Sequence, residues 1–209
     1  MAAVLMHTMD SYRFCWDPFI YYWQEYVRFL GPKYFVSDYP ARVNVHYADW
    51  RVVFTGPKEW SDRLAEALVR IEEDWIFYVQ EDIWAKQNFY LDNLIPEERG
   101  WDEWFDCVHV NGTKSFIYTR TSEPGPFIIE DDSPYMVCHK PAWWRKDYLL
   151  EQLVSNETPW ENEIEGTKRL KERGTGGRIG LVRKQWYHDV CRKGELLPIG
   201  KEMKDAISV

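Results

Sequence analysis

The sequence predicts an α/β fold in which a mainly parallel central sheet is flanked by helices, and three neighbouring observations carry that prediction. Residues 61–73 place Leu64, Ala65, Leu68 and Ile71 at helical spacing with charges between them. Residues 75–79 follow as a short, unbroken apolar run of aromatic and β-branched types, the pattern of a strand buried on both faces. The run stops abruptly in Gln80, Glu81 and Asp82. Helix, buried strand and acidic turn make half of an α/β unit, and ligands of open α/β sheets collect at the carboxyl ends of the strands. Two adjacent carboxylates repel one another, so a cation beside them is a natural way to stabilise the pair. A solvated acidic turn is the plain alternative.

The other elements follow in order. Residues 2–6 are short and apolar and run into a polar loop, as a first central strand would. Residues 13–30 are crowded with aromatics at helical spacing, with Pro18 near the first turn where it is tolerated, and Gly31-Pro32 ends them. Residues 33–37 read as a strand, 42–47 alternate as an edge strand, and 51–55 give another before Gly56-Pro57. The first hundred residues therefore read β-α-β-β-α-β. Beyond them come a short helix at 87–94, an acidic connector at 97–106, and strands at 107–110 and 115–121 around Asn111-Gly112, a hairpin signal. Turns at 123–126 and 131–134 precede a strand at 135–139 and a helix from Trp143 or Trp144 to Val154. A helix at 161–172, a break at 174–177, a strand at 179–187 and a basic turn at 192–194 complete the reading. There is no repeat and no low-complexity linker, so one domain spanning 1–209 is expected.

Composition narrows the function. At 209 residues, 45% hydrophobic and 29% charged, the chain suits a soluble globular protein with one good core. A formal net charge of −8 argues against a non-specific nucleic-acid binder, which needs a basic surface. Aromatics make up 17%, with twelve Trp, enough to fill a core or to offer platforms for sugar rings and nucleobases. Cys15, Cys107, Cys138 and Cys191 are far apart and form no CxxC pair. That speaks against a structural zinc site, gives no disulfide framework and favours reduced thiols in a cytosolic compartment. The opening residues lack the basic lead-in and cleavage site of a signal peptide, and no apolar stretch has the length of a membrane span.

Few motifs carry chemistry alone. Gly174-Thr-Gly-Gly177 matches no phosphate-loop pattern and reads as a helix stop. Pro159-Trp160-Glu161-Asn162-Glu163 puts an aromatic and two carboxylates at a helix start. Acidic residues in a first turn complement the helix dipole. The chemical alternative is that Trp160 packs on a sugar face while one carboxylate takes the proton of an attacking hydroxyl.

Taken in order, these segments resemble a family. Trp60-Ser-x-Arg63-Leu64 opens a helix, an apolar strand runs into Gln80-Glu81-Asp82, and Pro141-Ala-Trp-Trp-Arg145 with Leu149-Leu150 precedes Pro159-Trp-Glu-x-Glu163. The series resembles small GT-A glycosyltransferases, the nucleotide-sugar transferases of polysaccharide loci and of large algal DNA viruses of the chlorovirus type, where they build capsid glycans. The individual motifs are loose; their order over nearly the whole chain carries the resemblance. The usual DxD metal motif appears as Gln80-Glu81-Asp82, so only its last position is the expected aspartate.

The resemblance implies a single GT-A-like domain, with residues 1–100 binding the nucleotide sugar and 101–209 the acceptor. It implies that Thr8, Asp10 and Tyr12 meet base and ribose with Asp38 and Gly56 close by, and that Arg63 reaches the pyrophosphate or orders the base loop. It implies Mn2+ or Mg2+ at Asp82, with Glu81 or Gln80 acting through water, and His188 as a late metal or phosphate contact. Arg192 and Lys193 then supply positive charge. The donor implied is a UDP-sugar ahead of a GDP- or TDP-sugar, and the acceptor an oligosaccharide or glycoprotein in the cytoplasm, of the host cell if the chain is viral. For inverting transfer the base is Glu161 or Glu163, with Asp131 or Asp132 as competitors. A sugar nucleotidyltransferase and a non-catalytic carbohydrate-binding protein are the rival readings. The first should show a Gly-rich basic loop where residues 7–12 have none; the second leaves Asp82 and the late basic turn without a use.

Overall fold

The computed structural model describes residues 1–39, 49–111, 116–120 and 125–207. Its first part runs β1 (Ala2–His7), α1 (Trp16–Tyr26), β2 (Val27–Arg28), β3 (Lys33–Ser37), β4 (Trp50–Phe54), α2 (Trp60–Arg70) and β5 (Trp75–Gln80). Then come β6 (Ile83–Ala85), β7 (Phe89–Tyr90), α3 (Pro96–Arg99), β8 (Cys107–Asn111), β9 (Tyr118–Thr119) and β10 (Phe127–Ile129). The last part is β11 (Ala142–Arg145), α4 (Lys146–Gln152), α5 (Pro159–Arg173), β12 (Ile179–Arg183), β13 (Tyr187–Asp189), β14 (Cys191–Arg192), β15 (Glu195–Leu196) and α6 (Pro198–Ile207).

Nine strands form one sheet in the order β4-β3-β1-β5-β11-β8-β12-β10-β9. The β4-β3-β1-β5 half is parallel throughout, as a βαβ-type chain requires. β11 enters between β5 and β8, antiparallel to both, so its first residue lies where β5 ends: Ala142 pairs with Tyr78. The far edge is mixed, with β12 parallel to β8 and antiparallel to β10.

Both faces of the sheet are covered, which explains the unbroken apolar runs. Along β5, Phe77 and Val79 point into one cluster with Trp16, Phe19, Trp23 and Trp186, whereas Ile76 and Tyr78 point into the other with Leu64, Leu68 and Leu170. Trp143 and Trp144 divide between the same two clusters. Nine of the twelve Trp are buried, so the aromatic excess serves the core first, at about 1.5–3 kcal/mol for each fully buried large side chain. Trp104 and Trp160 remain exposed.

Several local expectations are corrected. The helix expected at 13–30 is a 3-10 turn, Asp10–Cys15, then α1, then β2, which pairs with β7. That pairing takes Phe89–Tyr90 out of the helix expected at 87–94, leaving one 3-10 turn at Leu91–Leu94. Residues 135–139 are not a strand. The Thr167 hydroxyl of α5 accepts from the Met136 and Val137 N–H groups, both at 3.1 Å, so side chains replace a ladder there. Residues 142–145 are a strand where a helix was expected, and α4 begins only at Lys146. The strand expected at 179–187 divides into β12 and β13, and α6 follows unforeseen. The strand expected at 42–47, the Gly112 of the expected hairpin turn and the first half of the turn at 123–126 lie outside the described residues. Among the described residues no helix is long and apolar enough to cross a membrane.

Candidate active site

The crevice forms where β1 and β5 end together. The two strands are parallel neighbours in register, His7 opposite Gln80, so Thr8 and Glu81 leave the sheet side by side. A cavity of about 120 Å³ opens there, lined by His7, Thr8, Met9, Tyr12, Trp60, Arg63, Gln80, Glu81 and Asp82. Thus the loop after β1, the first turn of α2 and the acidic turn after β5 converge on one space.

Arg63 holds the α2 side of this crevice together. It occupies the buried face of α2 among Trp60, Leu64 and Ala67, a place the helical period gives to apolar residues. Only 1% exposed, it donates from Nη1 to the Thr8 carbonyl at 2.8 Å and lies 3.9 Å from Asp38. Burial lowers its pKa, while Asp38 pushes the other way. Asp38 also accepts from the Asp10 N–H at 2.7 Å, tying the β1 and β3 loops together. The Thr8 hydroxyl accepts from Trp16 Nε1–H at 2.7 Å. Tyr12 stacks on Phe14, and its pKa is raised by burial and by nearby Cys191, Glu81 and Asp82. Gly56, at φ +73°, follows β4 and Thr55, whose N–H donates to Ser37 beside Asp38.

On the acidic side, Glu81 is buried and Asp82 half-buried. Burial and the charge of Asp82 push the Glu81 carboxyl well above the carboxylate range. Burial also raises Asp82; Asp189 adds to the shift and Lys140 opposes it. Among the described residues no three His, Cys, Asp or Glu groups gather into a ready-made metal site. Yet Asp82 Oδ1 is buried without a hydrogen-bond partner there. An unpartnered carboxylate oxygen beside a second carboxylate fits a divalent cation whose other ligands come from substrate and water.

His188 is not brought to this group. It faces Trp84 in the β6–β13 ladder and its pKa is lowered by burial and by Lys86. Its neighbour Asp189 acts on Asp82 instead, and the Val190 N–H donates to the Asp82 carbonyl at 2.9 Å. Arg192 and Lys193 are exposed at the β14–β15 hairpin and do not line the cavity.

The two candidate bases separate clearly. Glu161 closes a capping box: its Oε2 accepts from the Thr158 N–H at 2.9 Å, and its own N–H donates to Thr158 Oγ1 at 3.3 Å. Glu163, two residues on, is half-buried and accepts from the His139 N–H at 2.7 Å. Burial raises its pKa, partly offset by that bond and by Lys140. A raised carboxyl is a stronger proton acceptor once ionised. Of the competitors, Asp131 bonds Thr175 and Asp132 is exposed; like Glu161 and Glu163, neither lines the cavity.

His139, Lys140, Asn162 and Asp189 were not anticipated. His139 packs 4.4 Å from the Trp60 ring and its Nε2–H donates to Asn162 Oδ1 at 3.0 Å. Asn162 donates in turn to the Glu157 carboxylate and the Gln152 carbonyl. Burial drives His139 down to about 3, so this ring is neutral and serves position rather than charge. None of the four lines the cavity: His139 and Lys140 come beside it because β11 runs antiparallel and begins where β5 ends, and Asp189 because β13 pairs with β6, pairings that no local spacing reveals.

No protein-family model matches the chain, and no curated protein matches it. Solved structures do. Residues 1–349 of S. aureus TarS superpose with TM-score 0.59 at 13% identity, covering 89% of this chain and 59% of that one. TarS structures in complex with UDP and with UDP-GlcNAc superpose with TM-score 0.55. Glucosyl-3-phosphoglycerate synthase from Mycobacterium tuberculosis gives TM-score 0.59 at 10% identity over 100% of this chain and 77% of that one. A CMP:2-keto-3-deoxy-manno-octonic acid synthetase complexed with CTP gives 0.53 at 11% identity, over 99% and 98%. The fold is therefore the GT-A-like α/β fold that the sequence led us to expect. The chain spans about three-fifths of the TarS structure it matches.

Proposed function

We propose that the chain is a metal-dependent glycosyltransferase that moves a sugar from a nucleoside diphosphate donor, a UDP-sugar in our reading, to an oligosaccharide or glycoprotein acceptor. The carrying observation is the crevice itself: a buried Arg63, clamped to Thr8 and Asp38, and an unpartnered Asp82 carboxylate oxygen meet at the ends of the neighbouring parallel strands β3, β1 and β5. Support comes from a fold shared with structures that hold UDP and UDP-GlcNAc. Residues 1–100 form the donor side of this scheme and 101–209 the acceptor side, with capsid glycan as the acceptor setting that the sequence resemblance implies.

In the mechanism, Thr8, Asp10, Tyr12 and Asp38 frame the base and ribose, and Arg63 keeps the β1 loop in place. Asp82 is the residue that would hold Mn2+ or Mg2+, with Glu81 and Gln80 beside it. A cation bound there supplies charge neutralisation for the departing diphosphate. Glu163 takes the proton of the acceptor hydroxyl as its oxygen attacks the anomeric carbon and the bond to the diphosphate breaks, with inversion. The His139 N–H fixes the Glu163 carboxylate for that transfer.

Calorimetry of UDP with Mn2+ and with chelator tests the scheme. UDP should bind more tightly with the metal, and Asp82→Ala should abolish that difference and lower turnover about 100-fold or more with folding intact. Equal affinity with and without metal would remove the cation from the mechanism.

The synthetase likeness keeps a sugar nucleotidyltransferase as second reading. It predicts pyrophosphate release from a nucleoside triphosphate and a sugar, which the lack of a Gly-rich basic loop after β1 argues against.

A further inference from the structure

One ion pair beside this crevice has no part in the scheme above. Lys140 Nζ pairs with Asp189, and both side chains are partly open to solvent, at 37% and 44%. The placement is specific. Lys140 directly follows His139, whose N–H holds Glu163. Asp189 directly precedes Val190, whose N–H holds the Asp82 carbonyl, and it faces Ile83 in the β6–β13 ladder. The pair therefore spans the ground between the proposed base and the proposed leaving-group carboxylate. A sugar whose anomeric carbon is attacked from one side while diphosphate leaves on the other must lie between those two groups. Lys140 feels both: its charge lowers Asp82 and Glu163.

The charge balance limits what that sugar can be. Glu81, Asp82, Glu163 and Asp189 contribute four carboxyl groups around this ground, against the cations Lys140 and Arg63. Arg63 is already engaged with Thr8 and Asp38, and Lys140 with Asp189. An additional carboxylate on the sugar would find no uncommitted cation among these groups. A pair of neighbouring hydroxyls suits the site instead, because an ammonium offers only donors and a carboxylate only acceptors, whereas a hydroxyl is both.

We propose that the Lys140–Asp189 pair is the recognition device for the transferred sugar, Lys140 donating to one hydroxyl and Asp189 accepting from its neighbour, and that this sugar is uncharged rather than a uronate or sialate. The inference rests on the glycosyltransferase reading. Charge-assisted hydrogen bonds are the strong kind, and holding the two groups against each other in advance limits what a ligand must order. An exposed ion pair with no such task would contribute little.

The test compares UDP, a neutral UDP-hexose and the matching UDP-hexuronate on wild type, Lys140→Gln, Asp189→Asn and the double variant. Calorimetric affinity, kcat/KM for donor hydrolysis and melting temperature are read for each. Wild type should favour the hexose by about 100-fold or more in kcat/KM, and each single variant should lose about 10- to 100-fold on the hexose. UDP affinity measured in chelator and melting temperature should stay near wild type, since neither side chain lines the cavity. Asp189→Asn, which releases Lys140, should narrow the gap between hexose and hexuronate. Wild type that uses the hexuronate as well as the hexose overturns the inference. So do variants that keep wild-type hexose kcat/KM, or that lose UDP affinity in step with hexose affinity, because the pair then only shapes the site. Wild type that binds no UDP and turns over no donor overturns the glycosyltransferase reading first, and this inference with it.

Discussion

Replacing Glu163 and Glu161 by Gln, one at a time, separates chemistry from architecture at the start of α5. The two carboxylates are two residues apart and have different partners, so the same substitution should have different effects. At position 163 the carboxylate oxygen accepts from the His139 N–H at 2.7 Å. Gln keeps an acceptor oxygen in that place and loses only the ability to take a proton. A general base contributes roughly 10²–10⁴-fold, so kcat should fall by that factor. Stability should move by no more than about 1 kcal/mol, the net worth of one hydrogen bond that survives in altered form. At position 161 the carboxylate closes the capping box with Thr158, a task that Gln performs as well. Turnover should therefore stay at the wild-type level. The assay is kcat on acceptor, UDP affinity and melting temperature for each variant. A further signature comes from pH. The Glu163 pKa is raised above its ordinary value by burial, so the group is ionised, and able to accept a proton, only above that shifted point. The Glu163 contribution to the acid limb of kcat/KM should lie there in wild type and be lost in Glu163→Gln, leaving that of Asp82, which burial also raises. Full turnover in both variants would show that the base lies elsewhere or that configuration is retained. Rate loss confined to Glu161→Gln would invert the assignment.

Two other perturbations probe the scaffold. Arg63→Met keeps the volume of a side chain only 1% exposed but removes the bond to the Thr8 carbonyl, so UDP affinity should drop about 10- to 100-fold; unchanged affinity measured by calorimetry would detach Arg63 from the donor site. Asp106 is held by Arg178 and Arg145 at the opposite end of the sheet, where the Arg145 Nε bond is 3.0 Å. Burial alone would raise its pKa, but the two guanidiniums outweigh that and the net shift is downward. The stabilisation is thus complete above the unfolded carboxylate pKa and lost as pH falls through the lower folded value. Asp106→Asn should cost about 1.5–3 kcal/mol at neutral pH and progressively less in acid, as read from denaturant midpoints; a cost that is constant with pH would contradict the account.

The parallel half of the sheet was legible because its strands are buried on both faces. β1, β3 and β5 are continuous apolar runs, and α2 carries a clear helical stripe into Arg63. The β11 region was not legible. Ala142-Trp-Trp-Arg145 is apolar, follows a proline and leads into α4, so local pattern favours a helix; only pairing with β5 and β8 makes it a strand. Residues 135–139 failed in the opposite sense, since the Thr167 hydroxyl and the Glu163 carboxylate satisfy N–H groups that a strand would place in a ladder. The site divides along the same line. Thr8, Asp38, Arg63 and Asp82 stand at strand ends or a helix start that the sequence marks. His139, Lys140 and Asp189 arrive by a long-range antiparallel insertion and by the β6–β13 pairing, which leave no spacing signal. His188 illustrates the strand period: one residue along β13 exchanges the side that meets Trp84 for the side that meets Lys140.

The central claim is donor use, and a panel of UDP-, GDP- and TDP-sugars with Mn2+ measures it most directly through the nucleoside diphosphate released. The account predicts slow release of UDP from at least one UDP-sugar, suppressed by chelator and by Asp82→Ala and accelerated by a glycan acceptor. A folded protein that releases no nucleoside diphosphate from any of these donors, yet releases pyrophosphate from a nucleoside triphosphate in the presence of a sugar, would contradict it.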